Sequence, residues 1–272
     1  MRRLHRTLLA LTLLAGALAG TAVAAPAQAA TARIVGNDIS WPQCPRGMGI
    51  PSRRSEGQPM PPASSRFVVI GLTNGPAFTP NPCLTAQVAF AEQRHLWTAA
   101  YAMTTYPTPA QLAEHGRGGP YRGSDTLTRL RNTGYAQARV NVAAMRAAGL
   151  RSPIVWVDVE PYRVAPWSAR IAANRAVVQG AMLGYRRAGL EVGFYSTPYL
   201  WRSIVGNWTW KKPEWRATGH TNRATALRAC TRASIQGGHA VLGQWVHAHR
   251  DWDVVCGRYA STASLRAFFH KY

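Results

Sequence analysis

The sequence predicts an α/β protein folded as an incomplete (β/α) barrel, with eight strands and helices mainly between the first five. Short apolar segments rich in β-branched and aromatic residues alternate with longer helical segments, which is typical of a largely parallel sheet. After Gly206 the pattern changes, because strand-like segments follow one another with little helix between the last of them. About 240 residues remain after the N-terminal leader, and this length suits one barrel domain.

The first thirty residues have the pattern of a secretory signal peptide. Arg2, Arg3 and Arg6 give a basic start, and the apolar run from Leu8 to Leu18 is too short for a membrane anchor. The small residues around Ala29 suit cleavage there. We therefore predict a signal peptide at 1–30, a single (β/α) barrel domain at 31–272, and secretion without a stable membrane anchor.

Eight segments are predicted to be strands. The first five carry the clearest β-branched and aromatic runs, and the last three follow the change of pattern. They are residues 33–40, 66–73, 97–103, 153–160, 191–196, 214–218, 240–246 and 252–256.

Helices are predicted from apolar periodicity and from their end signals. Asn81 with Pro82 should open the first one, and Gly149 and Gly189 should end the second and third. Thr197 with Pro198 should cap a short fourth helix. The predicted helices cover about 82–94, 125–148, 167–188 and 198–206, and the segments 45–65 and 107–123 are predicted to be loops, the first a mobile insertion.

The chain is strongly basic. It carries 32 lysines and arginines against 11 acidic residues, for a formal charge of +21. Loss of three arginines with the leader leaves 21 − 3 = +18, which favours polyanionic surroundings such as wall polymers. Because the arginines are scattered, a dedicated nucleic-acid surface is not expected.

Four cysteines in an exported chain suit two disulfides, for which three pairings are possible. Cys44 and Cys83 follow the first two strands, whereas Cys230 and Cys256 flank the last two. Neighbouring strands bring cysteines within bonding distance, so we expect the pairs Cys44–Cys83 and Cys230–Cys256. The chain has no Cys-x-x-Cys element, and neither a metal site nor a cofactor is expected.

The fourth strand, Pro153 to Glu160 (PIVWVDVE), ends in two carboxylates. Side chains two apart on a strand point the same way, so Asp158 and Glu160 face one side together. Such a pair suits a scissile glycosidic bond, although strand-end acids can also be structural ion-pair partners.

Further acids and aromatic residues fall near the ends of other predicted strands. Functional groups of such barrels gather at the C-terminal ends of the strands, so these side chains should share one rim. Carboxylates handle hydroxyls and proton transfer, while aromatic faces pack on sugar rings. The predicted rim residues are Asp38, Asp251, Asp253, Trp41, Tyr101, Tyr195, Tyr199, Trp245 and Trp252.

The order of motifs resembles glycoside hydrolase family 25, the lysozyme-like muramidases, over nearly the whole mature chain. The similar segments are short: Gly36 to Ser40 (GNDIS), Phe67 to Gly75 (FVVIGLTNG), Asp158 to Glu160 (DVE), Gly193 to Ser196 (GFYS) and Asp251 to Asp253 (DWD). This sequence has Asn74 where the family often has an acid, and Tyr101-Ala102-Met103 where it usually has Tyr-His-Phe.

The resemblance implies roles for these residues. Glu160 would be the general acid/base, and Asp158 would stabilise positive charge or orient the N-acetyl group of the substrate. Asp38 and Asp251 would line the floor of the site, with Asp253, Tyr101, Tyr195 and Trp245 contributing to substrate binding. A nucleophilic and a substrate-assisted mechanism both remain open.

Two function classes follow. The first is a monomeric, exported glycoside hydrolase that acts on peptidoglycan or a related N-acetyl amino-sugar polymer. The second is a catalytically silent barrel that binds cell-wall polysaccharide. A chitinase-like barrel is excluded, because its Asp-x-x-Asp-x-Asp-x-Glu run requires acids where Pro153 and Trp156 stand.

Overall fold

The computed structural model describes residues 34–272, and eight of its strands form a closed barrel. The predicted signal peptide and its cleavage near Ala29 lie outside the described residues. The barrel strands are β1 (Val35–Ile39), β2 (Phe67–Gly71), β3 (Trp97–Met103), β4 (Ile154–Asp158), β5 (Glu191–Ser196), β6 (Glu214–Ala217), β7 (Ala240–His247) and β8 (Arg250–Val255).

The first seven strands are parallel, and β8 runs against both of its neighbours. A turn of two residues, Ala248 and His249, joins β7 to β8 in place of a helix. Both turn residues have positive φ, 50° and 55°, as a tight hairpin turn of this kind requires. The predicted fold class is confirmed.

Seven α-helices accompany the barrel in the described part of the chain. They are α1 (Leu84–Gln93), α2 (Pro109–His115), α3 (Thr126–Ala147), α4 (Ile171–Arg187), α5 (Pro198–Val205), α6 (Arg223–Ala229) and α7 (Thr262–Leu265). The sequence did not predict α2, α6 or α7. These helices have only four to seven residues, so apolar periodicity carries little signal in them.

The predicted helix ends are correct except at two starts. Gly149 and Gly189 follow α3 and α4 with φ of 75° and 83°, as terminating glycines do. However, α1 begins at Leu84, because the Asn81 side chain donates to the carbonyl of Gly71 and so fixes a turn before the helix. The helix predicted from residue 167 begins at Ile171.

Close packing of α3 against α4 depends on two glycines. A Cβ at Gly134 would clash with the carbonyl of Val177, and one at Gly180 would clash with that of Arg131. The two helix backbones therefore approach each other directly over β4 and β5.

The barrel encloses an aromatic core below its polar end. Trp156 and Trp215 meet edge to face with ring centroids 6.2 Å apart, and Phe67 packs on Phe269 at 4.9 Å. All four side chains are buried. This core fills the lower barrel, and the polar end is the one where the parallel strands finish. We call that end the mouth.

Both predicted disulfides are present, Cys44–Cys83 and Cys230–Cys256, with Cα atoms 5.6 and 5.5 Å apart. The first ties the insertion after β1 to the start of α1. That insertion holds a two-stranded hairpin, Gly49–Ile50 with Arg53–Arg54, which the sequence did not predict. Among the described residues, no helix is long and apolar enough to cross a membrane.

Candidate active site

Five carboxyl groups converge at the mouth from three strands. Asp38 near the end of β1 is directly opposite Asp251 at the start of β8. Asp253 lies one pleat deeper on the same face of β8. Asp158 ends β4, and Glu160 lies two residues beyond it. In a closed ring of eight strands β4 is diametrically opposite β8, so the five acids surround one opening.

The antiparallel direction of β8 explains how Asp251 reaches the mouth. In a fully parallel barrel the acids would lie at the C-terminal ends of the strands. Asp251 lies instead near the N-terminal end of its strand. The reversed strand brings that end to the same rim as the C-terminal ends of the others.

A hydrogen-bonded chain crosses the mouth and ends on Asp38. The Tyr195 hydroxyl donates to Gln244 Oε1 at 2.8 Å, and Gln244 Nε2 donates to Asp38 Oδ2 at 2.9 Å. The chain joins β5, β7 and β1, so the orientation of the Asp38 carboxylate is set from across the barrel. Sequence analysis did not predict Gln244 as a site residue, although the alternation of β7 opposite Asp253 places it inside.

The deepest carboxyl group, Asp253, is fully buried. Its Oδ1 accepts a hydrogen bond of 2.7 Å from the indole Nε1 of Trp215. Trp215 in turn packs edge-on against Tyr101 and Tyr195, with centroids 5.7 and 4.6 Å away. The predicted site tyrosines therefore lie at the mouth, and the aromatic core supports the acids directly.

Burial raises the pKa of every carboxyl group at the mouth, and repulsion by a neighbouring carboxylate adds to this for all of them except Asp251. Burial, then the charges of Asp251 and Asp253, holds the pKa of Asp38 well above its usual range. Burial, then the charge of Glu160, does the same for Asp158. Burial raises the pKa of Asp251 to about 6 and that of Asp253 to about 8. The site therefore holds protons near neutral pH.

Glu160 is the carboxyl group best placed to exchange a proton with a substrate. Its side chain is partly exposed, whereas Asp158 is only 3% exposed. Burial, followed by the charge of Asp251 across the mouth, raises the pKa of Glu160 to about 7. Its backbone is held by Trp167, whose indole Nε1 donates to the Glu160 carbonyl at 2.9 Å.

Asp158 has a buried side-chain oxygen without a partner. Within residues 34–272, its buried Oδ1 has no hydrogen-bond partner. An unpaired buried acceptor is costly, so its retention beside Glu160 suits a group that accepts a hydrogen bond from a bound molecule.

The structure does not bring Trp245 to the site. Its neighbour Gln244 points into the barrel, so Trp245 points outward, where it packs with Trp252 at a centroid distance of 5.9 Å and against Ala226 of α6. Tyr199 lies on α5 and is 78% exposed. The alternation of side chains along β7 predicts that Gln244 and Trp245 point to opposite faces of the strand. It does not predict which of the two points into the barrel.

A cavity of about 330 Å³ adjoins Asp251 at the β7–β8 turn. The imidazole of His220 lies near enough to lower the pKa of Asp251, against the larger effect of burial. The lining residues are Gln58, His220, Val246, Ala248, His249 and Asp251. Among the described residues, no group of three or more His, Cys, Asp or Glu side chains is arranged to hold a metal ion.

Fold and site together define a (β/α) barrel with a proton-holding carboxylate cluster at its mouth. Solved structures with this fold include the muramidase from Acremonium alcalophilum, with a TM-score of 0.56 and 18% identity over 86% of this chain and 98% of that one. The family 25 glycoside hydrolase lysozyme from Aspergillus fumigatus gives 0.55 and 15% over 86% and 97%. The lysozyme from Streptomyces coelicolor gives 0.53 and 16% over 87% and 97%.

Sequence comparisons point the same way over a shorter segment. The family described as Lysozyme-like protein 1 matches residues 126–221, which include Asp158, Glu160 and Tyr195. Lysozyme-like protein 5 of Caenorhabditis elegans is 34% identical over 70 residues, which span 26% of this chain and 31% of that protein. The predicted resemblance to the lysozyme-like barrels of glycoside hydrolase family 25 is confirmed, and the chain has their fold.

Proposed function

We propose that the protein is a glycoside hydrolase that cleaves peptidoglycan or a related N-acetyl amino-sugar polymer. The observation that carries the proposal is the pair at the end of β4. Glu160 is partly exposed with a pKa raised to about 7, and Asp158 beside it is buried with a free acceptor oxygen. The substrate class is supported by the structural neighbours, which include a muramidase and a lysozyme.

In the proposed reaction Glu160 is the general acid. Its carboxyl proton passes to the glycosidic oxygen as the bond from that oxygen to the anomeric carbon breaks, and positive charge develops on the sugar ring. Glu160 then takes a proton from the water that adds to the anomeric carbon, which returns the acid to its starting form. A pKa near 7 suits both steps, because the group changes protonation readily at neutral pH.

Asp158 acts on the neighbouring N-acetyl group. Its carboxyl group can accept the amide N–H, which orients the acetyl oxygen towards the anomeric carbon and stabilises the charge that develops there. The carboxyl groups of Asp38 and Asp251 line the floor of the mouth, with Gln244 holding the former in place. Tyr101 and Tyr195 supply aromatic faces for sugar rings.

We also infer export of a monomeric protein. The signal-peptide pattern at 1–30 and the two disulfides both suit an oxidising compartment. We therefore propose cell-wall polysaccharide or peptidoglycan as the partner that the exported protein binds.

Purified cell walls test the proposed activity. The expected result is a release of reducing ends that grows with time and enzyme concentration. Sedimentation of the protein with the walls without any release would identify it instead as a catalytically silent wall-binding barrel.

A further inference from the structure

The insertion between β1 and β2 delivers an arginine to the edge of the mouth. Its hairpin is fastened by Asn74, which follows β2. Asn74 Oδ1 accepts from the backbone N–H of Ile50 at 2.7 Å, and its Nδ2 donates to the carbonyl of Arg53 at 3.2 Å. An acid at this position, which the family often has, could not donate the second bond. Asn74 thus positions Arg53.

The guanidinium of Arg53 lies between two aromatic rings. Its Cζ is 4.6 Å from the ring centroid of Tyr162 and 6.0 Å from that of Trp41. Trp41 comes three residues after Asp38, and Tyr162 two residues after Glu160. The arginine is therefore held between the loops that follow the acids of β1 and β4.

Tyr162 itself is fixed by close packing. It lies over Gly75, where any Cβ would clash with the phenol hydroxyl. Gly75 also has a φ of 86°, which residues with a side chain rarely adopt. The clash and the backbone conformation therefore both favour glycine at this position. Trp41 follows β1 and Tyr162 follows β4, and Gly75, against which Tyr162 packs, follows β2.

Arg53 has no anionic partner among residues 34–272. None of the three ion pairs in this part of the chain includes it, and its buried Nε has no acceptor within hydrogen-bond distance. A guanidinium that is pre-oriented by aromatic faces and leaves N–H donors free is suited to bind a carboxylate from outside the chain.

We propose that Arg53 is a specificity-determining residue that binds a carboxylate borne by the glycan beside the scissile bond. The inference rests on the proposed function and names the feature that the site selects. In peptidoglycan this carboxylate belongs to the lactyl ether of the muramic acid residue or, where that is amidated, to the attached peptide. Trp41 and Tyr162 contribute apolar faces for the ring that carries it.

Binding measurements on the Glu160→Gln variant test the inference without turnover. The probes are the disaccharide of N-acetylglucosamine and N-acetylmuramic acid with a free lactyl carboxylate, its methyl ester, and the same disaccharide carrying a dipeptide. We expect the acid to bind about tenfold or more tightly than the ester, as loss of a charge-assisted hydrogen bond predicts. Adding Arg53→Gln should abolish that preference and leave ester binding within about twofold.

Arg54→Gln is the matched control, because Arg54 is on the same hairpin but its Nη1 donates to the carbonyl of Gly47. This variant should keep the preference for the acid. If the dipeptide form shows the preference and the lactyl acid does not, the carboxylate recognised belongs to the peptide.

Equal binding of acid, ester and dipeptide forms, or no binding of any of them, would overturn the inference about Arg53. So would an equal loss of acid and ester binding on Arg53→Gln. Failure of the proposed function is a different result, in which wild-type protein releases no reducing ends from walls while the carboxylate preference persists.

Discussion

The mouth of the barrel and its outer surface differ in the kind of ionisable side chain that each one carries. Five of the eleven acidic residues lie at the mouth, and a sixth, Glu214, is buried in a salt bridge with Arg216. The other five are exposed, against 28 lysines and arginines in residues 34–272. Acids are thus collected where burial raises their pKa, while cations cover the outside. The difference suits two tasks of the proposed hydrolase, which are proton transfer at the mouth and attraction of polyanions to the outer surface.

The largest expected effect comes from Glu160→Gln. The substitution keeps the size of the side chain but removes the transferable proton, so release of reducing ends should fall by about 10²–10⁴-fold. Glu92→Gln on the exposed face of α1 is the control and should retain activity. Circular dichroism should show both variants folded. Activity close to wild type for Glu160→Gln would mean that another mouth carboxyl is the acid.

The pH profile gives the next largest effect. The acid form of Glu160 is required, and burial raises its pKa to about 7. As pH rises through that value the proton is lost, so kcat/KM should fall about tenfold per pH unit above it. Activity is expected to be retained between pH 5 and 6.5. A profile that still rises at pH 9 would show that the reaction does not require the protonated form of Glu160.

A pair of conservative variants compares the two faces of the barrel wall. Tyr195→Phe deletes the hydroxyl that orients Gln244 and should lower kcat/KM by about two- to tenfold, the usual range for one hydrogen bond. Trp245→Phe alters only the outward face and should leave kcat/KM unchanged, even if thermal stability falls. The opposite ranking would place Trp245, and not Tyr195, in contact with substrate.

The smallest effect concerns the outer surface. Sedimentation of the Glu160→Gln variant with anionic walls should weaken severalfold between 0.01 M and 1 M salt, because the Debye length falls from about 30 Å to about 3 Å. Binding to an uncharged N-acetylglucosamine polymer should change little. Wall binding that is constant in salt would assign attachment to the mouth alone.

Much of this arrangement could be predicted from local sequence. The eight strands carry strong apolar runs. Asp158 and Glu160 can be recognised as candidate site residues because they end such a run in a chain with few acids. Helix ends at Gly149 and Gly189 follow from glycine chemistry. The disulfide pairs followed from the order of neighbouring strands.

What could not be predicted depends on contacts between distant residues. The reversal of β8 is set by pairing with β1, more than 200 positions away, and no local pattern encodes a strand direction. The inward position of Gln244 and the outward position of Trp245 depend on that pairing. Arg53 stands in a segment without periodicity, and its orientation comes from Asn74, Trp41 and Tyr162.

The two-residue turn between β7 and β8 bears on how long a substrate can be. In most of the barrel a helix and its loops follow each strand, whereas here the wall opposite β4 ends in Ala248 and His249, next to the cavity beside Asp251. A glycan strand bound by the proposed hydrolase can therefore extend past this turn, because no helix follows β7 there to block it. Cuts within long strands, with fragments of mixed length from the first minutes of digestion, are the expected product pattern.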